Sequence, residues 1–230
     1  HMMYFNASVP ISKVYLQFAS LFVSDIENAK LYPFLELDKG SITDDKEYLI
    51  INPNASDLRL ERRWGEQNFI QLIQLILSEY PDYEIRLIGS KDEWAYTEFI
   101  KTAINHPNII NTAGTQSITE LINSIRECKL MISNDTGPMH IAFCTNTPIV
   151  CLFGPCSPNQ YFAGENAYFI YKKVYCSPCV HDFEVAPCHG NNICMKMISP
   201  EEVFSQVQEA LTNQIVKPIS INSTIMKYNH

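Results

Sequence analysis

The chain has 230 residues, of which 46% are hydrophobic and 18% charged, and its formal net charge is -8. This composition belongs to a globular chain with a buried core, and it excludes disordered, collagen-like and low-complexity proteins. The acidic balance argues against a nucleic-acid partner. No run approaches the roughly 18 consecutive apolar residues of a membrane span, so we predict no transmembrane segment. At about 100–200 residues per domain, the length predicts one large domain or two small ones.

Strand and helix patterns alternate along most of the chain. An amphipathic helix is predicted at 10–22, and an acidic stretch at 38–47 is typical of a linker. Short apolar runs then predict strands at 48–52, 84–88, 109–110, 129–133, 148–153 and 168–174. Helices are predicted between them, including one that Ser117 and Glu120 begin as a capping box and one that begins at Ser199-Pro200.

Repeated strand–helix units of this kind form a parallel sheet with helices on both faces. We therefore predict an α/β fold, a Rossmann-like doubly wound parallel sheet, over residues 47–215. Residues 1–46 do not fit the alternation and are predicted to be a separate helix and linker. Residues 216–230 are polar and are predicted to be a tail.

One segment combines several features of an anion site. Residues 133–140 read Ser-Asn-Asp-Thr-Gly-Pro-Met-His and run from a predicted strand into a predicted helix. Ligands of open α/β sheets bind at such strand ends, and a helix N-terminus favours a phosphate. Thr136 can donate a hydroxyl hydrogen bond, Asp135 can accept from sugar hydroxyls, and Gly137 permits close approach of a ligand. The alternative is a capped helix start, in which Asp or Asn only satisfies backbone amides.

Two further strand ends carry charged residues. Arg59, Arg62 and Arg63 follow the first predicted strand, where they either neutralise phosphate or form a solvated loop with nearby carboxylates. Residues 89–93 follow the second strand, and a carboxylate there either binds ribose hydroxyls or caps the next helix. The chain contains neither the P-loop pattern, nor G-x-G-x-x-G, nor G-x-S-x-G. Their absence excludes phosphate-loop NTPases, ordinary dehydrogenases and α/β-hydrolases.

Four of the eight cysteines form a compact C-x2-C-x8-C-x5-C pattern, namely Cys176, Cys179, Cys188 and Cys194. Four thiolates can hold structural zinc or iron in a tetrahedral site, and His181 and His189 are additional candidate ligands. A redox disulfide and free thiols remain alternatives, because the second pair is not itself C-x-x-C. The other four cysteines, Cys128, Cys144, Cys151 and Cys156, are predicted to be core thiols.

Several ordered motifs between residues 48 and 212 resemble glycosyltransferase family 9, the ADP-heptose:lipopolysaccharide heptosyltransferases. The most diagnostic is Asn-Asp-Thr-Gly-Pro-Met-His at 134–140. The others are Asn-Pro-Asn-Ala-Ser at 52–56 with Arg-Arg-Trp at 62–64, Leu-Ile-Gly at 87–89, Leu-Phe-Gly-Pro at 152–155, and the segment from 176 to 203.

The resemblance implies a GT-B architecture of two Rossmann-like domains, in which the C-terminal domain binds the nucleotide-sugar donor. It also implies an inverting reaction that requires no cofactor. Thr136 and Gly137 would then bind phosphate, Asp135 the donor sugar, Arg62 the diphosphate and Glu93 the ribose, with Gln116 near the nucleobase. The predicted donor-binding set is Asp135, Thr136, Gly137, Pro138, Met139, His140, Ser56, Arg62, Glu93 and Gln116.

Residues 1–46 do not match the family's N-terminal strand with its catalytic aspartate, and they instead resemble a remnant of that domain, its last helix and the interdomain linker. The chain is therefore expected to be the donor-binding half of a longer enzyme, with no catalytic base of its own. The expected ligand is ADP-heptose, and the expected acceptor is of the lipopolysaccharide type, bound through the other domain. The expected location is the cytoplasm, peripheral to the inner membrane in the full-length enzyme. The alternative is a noncatalytic nucleotide-sugar-binding module with a four-cysteine structural site.

Overall fold

A computed structural model of the chain describes residues 10–22, 46–55, 57–161, 166–180 and 182–216. The strands are β1 (Tyr48–Asn52), β2 (Glu84–Leu87), β3 (Ile109–Asn111), β4 (Leu130–Asn134), β5 (Ile149–Phe153) and β6 (Ala167–Tyr171). The helices are α1 (Ile11–Ala19), α2 (Glu66–Glu79), α3 (Trp94–Ile104), α4 (Ile118–Glu127), α5 (Gly137–Thr145), α6 (Ile193–Lys196) and α7 (Pro200–Val216). Short 3₁₀ helices lie at Asp57–Arg62 and Pro158–Gln160.

The six strands form one all-parallel sheet in the order β3-β2-β1-β4-β5-β6. Every residue of β1, β4 and β5 is buried, because helices cover both faces of the sheet. Side chains alternate between the two faces, so that Leu49 and Ile51 belong to one apolar cluster and Tyr48 and Ile50 to the other. This arrangement confirms the predicted doubly wound α/β fold.

The strand order reverses between β1 and β4. The chain runs from β1 outward through β2 and β3, then returns to place β4 on the opposite side of β1. Asn52 at the end of β1 is in register with Ser133, next to the end of β4 at Asn134. A crevice at such a reversal is where open α/β sheets bind ligands. The topology therefore brings the two polar strand ends of the sequence analysis to one place.

The helix predictions are confirmed in their main features. The capping box of α4 is present, since Ser117 Oγ accepts from the Glu120 amide at 3.3 Å and Glu120 Oε2 accepts from the Ser117 amide at 2.7 Å. The helix predicted at 10–22 is shorter, and α1 spans Ile11–Ala19. In the part of the chain that the structure describes, no helix is long and apolar enough to cross a membrane.

Several element boundaries differ from the sequence prediction. The strand predicted at 168–174 ends at Tyr171, because its neighbour β5 ends at the paired residue Phe153 and offers no further backbone partners. The 3₁₀ helix after β1 and the short helix α6 carry no strong apolar period and were not predicted. The division into 1–46, 47–215 and 216–230 stays a prediction, and much of the first segment and nearly all of the third lie outside the described residues.

Candidate functional site

A network of asparagine amides joins three strand ends at the reversal of strand order. Asn134 Nδ2 donates to the carbonyls of Pro53 at 2.9 Å and Asn54 at 3.0 Å. Asn54 Nδ2 donates in turn to the Ile88 carbonyl at 2.7 Å, which links β1 to the end of β2. Asn52 Nδ2 donates to Thr136 Oγ1 at 2.6 Å and thereby fixes the hydroxyl at the start of α5. Sequence reasoning assigned these asparagines no role, although polar residues ending buried strands were the available signal.

The start of α5 is open toward the crevice. Thr136 is its N-cap residue in an extended conformation, and the Thr136 side chain makes no capping hydrogen bond to this helix. The capped-helix alternative is therefore not the arrangement observed. Pro138 lies in the first turn, and a Cβ built on Gly137 meets nothing within 4 Å. A helix N-terminus with free space in front of it favours an anion, because its first amides lack intrahelical acceptors.

Arg62 and Asp135 face each other beside this helix start. Arg62 Nε lies 3.4 Å from Asp135 Oδ2, and the two side chains are 20% and 4% exposed. Burial disfavours the charged guanidinium, but Asp135 together with Cys156 and Tyr161 outweighs it, so the pKa of Arg62 lies above its ordinary value. Both residues were predicted to bind the ligand. They lie 73 positions apart in the sequence, and the fold brings them into contact.

Three further side chains surround the Asp135 carboxylate. The Tyr161 hydroxyl donates to Asp135 Oδ2 at 3.2 Å, and the Cys156 thiol lies within hydrogen-bonding reach of Asp135 and Arg62. Burial raises the pKa of both Tyr161 and Cys156, and the negative charge of Asp135 raises it further. Both groups are therefore protonated donors near neutral pH. Burial lowers the pKa of His140, and its ring meets the Tyr161 ring edge-on at 5.1 Å. Sequence reasoning missed Tyr161 and treated Cys156 only as a core thiol.

Several buried polar atoms at this edge have no hydrogen-bond partner within the described part of the chain. They are Asn54 Oδ1, Asn134 Oδ1 and Arg62 Nε. Arg62 Nε forms the ion pair with Asp135, but this contact lacks the geometry of a hydrogen bond. Buried polar groups in native proteins are almost always paired. The edge therefore presents unused hydrogen-bonding capacity at the point where the topology favours a ligand.

The other predicted donor-binding residues lie in different surroundings. Glu93 is the N-cap residue of α3, six residues beyond the end of β2 at Leu87, and its Oε2 accepts from the Ser90 amide at 2.7 Å. Gln116 instead donates to Ser124 Oγ of α4 at 2.7 Å. The Met139 side chain is fully buried in the core and its amide donates to the Thr136 carbonyl, so it offers a ligand no side-chain contact. Ser56 lies outside the described residues.

The arginine cluster does not act as a unit. Arg59 donates to the carbonyls of Glu184 at 3.1 Å and Phe183 at 3.3 Å, which anchors the cysteine-containing segment to the turn after β1. Arg63 donates to the Ala55 carbonyl at 3.1 Å and lies over the Tyr96 ring at 4.7 Å. Both guanidinium groups thus hold protein groups, and Arg62 is the member of the cluster that faces the open helix start.

The four clustered cysteines line one cavity, together with Glu61 and Asn192. All four are free thiols, and burial with the three neighbouring thiols raises the pKa of Cys179 to about 11. The donor set suits a soft metal ion. Among the described residues, however, no three His, Cys, Asp or Glu side chains converge closely enough to hold one, and His181 is not among those residues. The metal site stays a prediction.

A doubly wound parallel sheet, with an arginine, a hydroxyl and an open helix start at its reversal point, defines a Rossmann-like α/β protein with a candidate anion site. The sequence profile of glycosyltransferase family 9 (heptosyltransferase) matches residues 20–189, and the chain belongs to this family.

Individual relatives agree with this assignment. The chain is 30% identical over 173 residues to lipooligosaccharide heptosyltransferase 2 of Campylobacter jejuni, covering 73% of this chain and 52% of that protein. Its fold is similar to E. coli ADP-heptose lipopolysaccharide heptosyltransferase II, with a TM-score of 0.63, 23% identity, and 76% and 49% of the two chains covered. E. coli heptosyltransferase WaaC with ADP-2-deoxy-2-fluoro heptose gives a TM-score of 0.56 at 17% identity, with 73% and 44% covered.

The chain spans about half the length of these relatives. Its six-stranded parallel sheet corresponds to half of the two-domain GT-B heptosyltransferase structure. The family resemblance and the fold class inferred from sequence are therefore confirmed.

Proposed function

We propose that this chain is the donor-binding domain of a heptosyltransferase and that its ligand is a nucleotide-diphospho-sugar, ADP-heptose in the first instance. The observation that carries the proposal is the uncapped start of α5, which opens beside Arg62 and Thr136 at the reversal of strand order. A diphosphate matches this arrangement because the Gly137 amide at the helix start, a hydroxyl and a guanidinium all complement negative charge. The ADP-sugar named with the E. coli WaaC structure supports the choice of nucleotide.

Each side chain then has a defined task. Thr136 Oγ1, held by Asn52, donates to a phosphate oxygen, while Arg62 turns from Asp135 toward the diphosphate. Asp135 accepts from hydroxyls of the sugar, and Glu93 accepts from the ribose at the neighbouring strand end. As the glycosidic bond to the leaving diphosphate breaks, the same helix start and guanidinium stabilise the charge that develops there.

The rest of the reaction is assigned to a second domain. The family resemblance implies that the catalytic base and the lipopolysaccharide-type acceptor belong to that domain, and that transfer inverts the anomeric carbon without a cofactor. The span of about half of each relative supports this division. A cytoplasmic location, peripheral to the inner membrane, follows from the same proposal because nucleotide sugars are cytoplasmic substrates.

The test is calorimetric titration of the purified chain with ADP, GDP and UDP. We expect ADP to bind most tightly, and Thr136→Val and Arg62→Ala each to weaken ADP binding about tenfold or more. Thr145→Val is the matched control, because Thr145 lies at the other end of α5 and donates to the Ile141 carbonyl. Indifference of ADP binding to both site substitutions would refute the proposed phosphate site.

We further propose that the four-cysteine cavity holds a structural zinc or iron ion, once its thiols turn inward. The observation that favours this is the common lining of one cavity by Cys176, Cys179, Cys188 and Cys194. Elemental analysis of the purified chain should find about one metal ion per chain, lost in Cys176→Ser/Cys194→Ser but kept in Cys144→Ser. A folded, metal-free wild-type chain after expression with zinc and iron would contradict this second proposal.

A further inference from the structure

The Asp135 carboxylate is faced by groups from four parts of the fold. Arg62 approaches from the 3₁₀ helix after β1, and Tyr161 and Cys156 approach from the segment after β5. His140 of α5 and the buried thiol of Cys151 on β5 complete the set of titratable neighbours. With 4% of its side chain exposed, Asp135 depends on these groups rather than on water for its stabilisation.

Packing on two sides fixes the position of the Tyr161 hydroxyl. The Tyr161 ring stacks on Phe153 with centroids 5.8 Å apart and planes inclined by 30°. His140 meets the same ring edge-on at 5.1 Å. Aromatic contacts of this kind hold a ring in one orientation. The ring packing therefore holds the hydroxyl in place, and it donates to Asp135 Oδ2 at 3.2 Å.

Arg62 has two competing partners. In this structure it contacts Asp135, whereas the proposed function requires it to reach the diphosphate. If Arg62 leaves, a nearly buried carboxylate loses its countercharge, and such a loss is costly unless other donors remain. Tyr161 remains, because its ring is held independently of Arg62.

We propose that Tyr161 is a positioning residue of the donor site: its hydroxyl stabilises the Asp135 carboxylate while Arg62 is released to bind the diphosphate. The inference rests on the proposed donor-binding function and deepens it. The segment after β5 then supports the phosphate site indirectly, because Tyr161 contacts Asp135 and acts on the ligand only through that carboxylate.

The experiment is a double-mutant cycle with ADP as the probe. Tyr161→Phe should weaken ADP binding about tenfold, since the carboxylate then keeps only the weak Cys156 thiol donor when Arg62 leaves. Asp135→Asn should strengthen ADP binding severalfold, because Arg62 is no longer paired with a carboxylate. In the Asp135→Asn background, Tyr161→Phe should change ADP affinity less than twofold, because no buried charge needs the hydroxyl.

Tyr171→Phe is the matched control, since the Tyr171 hydroxyl pairs with Ser177 Oγ at 3.0 Å and not with Asp135. It should leave ADP affinity within twofold of wild type. An equal loss from Tyr161→Phe in the wild-type chain and in the Asp135→Asn variant would show a purely structural role and overturn the inference. If the wild type fails to bind ADP, or Thr136→Val and Arg62→Ala have no effect, the proposed function itself fails.

Discussion

Asn134 offers the sharpest test of how the strand ends are held together. Its side chain is completely buried at the end of β4, and Nδ2 donates to the carbonyls of Pro53 at 2.9 Å and Asn54 at 3.0 Å. Asn134→Ala removes the donor from two carbonyl groups beneath the site. Each buried acceptor left without a donor costs about 1–3 kcal/mol. We expect the free energy of unfolding to fall by about 2–4 kcal/mol. The loss is smaller than the full cost of two unpaired acceptors, because the substitution also removes the buried amide group.

For a domain of this size, that loss lowers Tm by about 4–16 °C. The assay is guanidinium chloride unfolding followed by circular dichroism, with thermal unfolding as a second measurement. Asn166→Ala is the control, because its amide makes longer, exposed contacts with Asn146 at 3.3 and 3.4 Å. This control should stay within about 0.5 kcal/mol of wild type. If Asn134→Ala is no more destabilising than Asn166→Ala, the assigned role of the amide network is wrong.

Three further substitutions test the site. Gly89→Ala should destabilise the fold by about 1–3 kcal/mol in chemical unfolding, because its Cβ would lie 2.6 Å from Asn54 Nδ2. The Cβ of Gly137→Ala meets no protein atom within 4 Å, so stability should stay within about 1 kcal/mol of wild type. Because the same methyl group would extend into the space proposed for the diphosphate, ADP affinity should fall in titration. Equal stability losses in both variants would contradict this contrast. Burial lowers the pKa of His140, so the unfolded chain binds the proton more readily and stability falls as pH drops below about 6.5. His140→Phe should lose less stability than wild type between pH 7.5 and 5.5, and equal losses would refute this.

Much of the fold could be predicted because its signals are local. The apolar run at 48–51, ended by Asn52, identifies a strand buried on both faces, and Ser117 with Glu120 identifies a helix start, from a few consecutive residues. Alternation of such units leaves a parallel doubly wound sheet as the natural architecture. The strand ends were less certain, as at Tyr171, because a strand stops where its neighbour stops and that neighbour is set by the topology.

The candidate site was predictable only in part. Asp135, Thr136 and Gly137 could be selected because a strand–turn–helix junction has a local signature, and the structure shows that junction uncapped. The different roles of the arginines could not be read from sequence: Arg59 finds backbone carbonyls more than 120 positions away, while Arg62 finds Asp135. The burial of Met139 depends likewise on how α5 is rotated against the sheet.

Hydrophobic periodicity predicts the class of fold and the strand ends at which chemistry is expected, and the short motifs resemble those of glycosyltransferase family 9. These features could be read early because their residues are neighbours along the chain. The pairing of Arg62 with Asp135, and the support that Tyr161 gives to the same carboxylate, emerge only in three dimensions. The physical reason is the order of the strands: placing β4 between β1 and β5 brings three distant segments to one crevice, and no local pattern encodes that order.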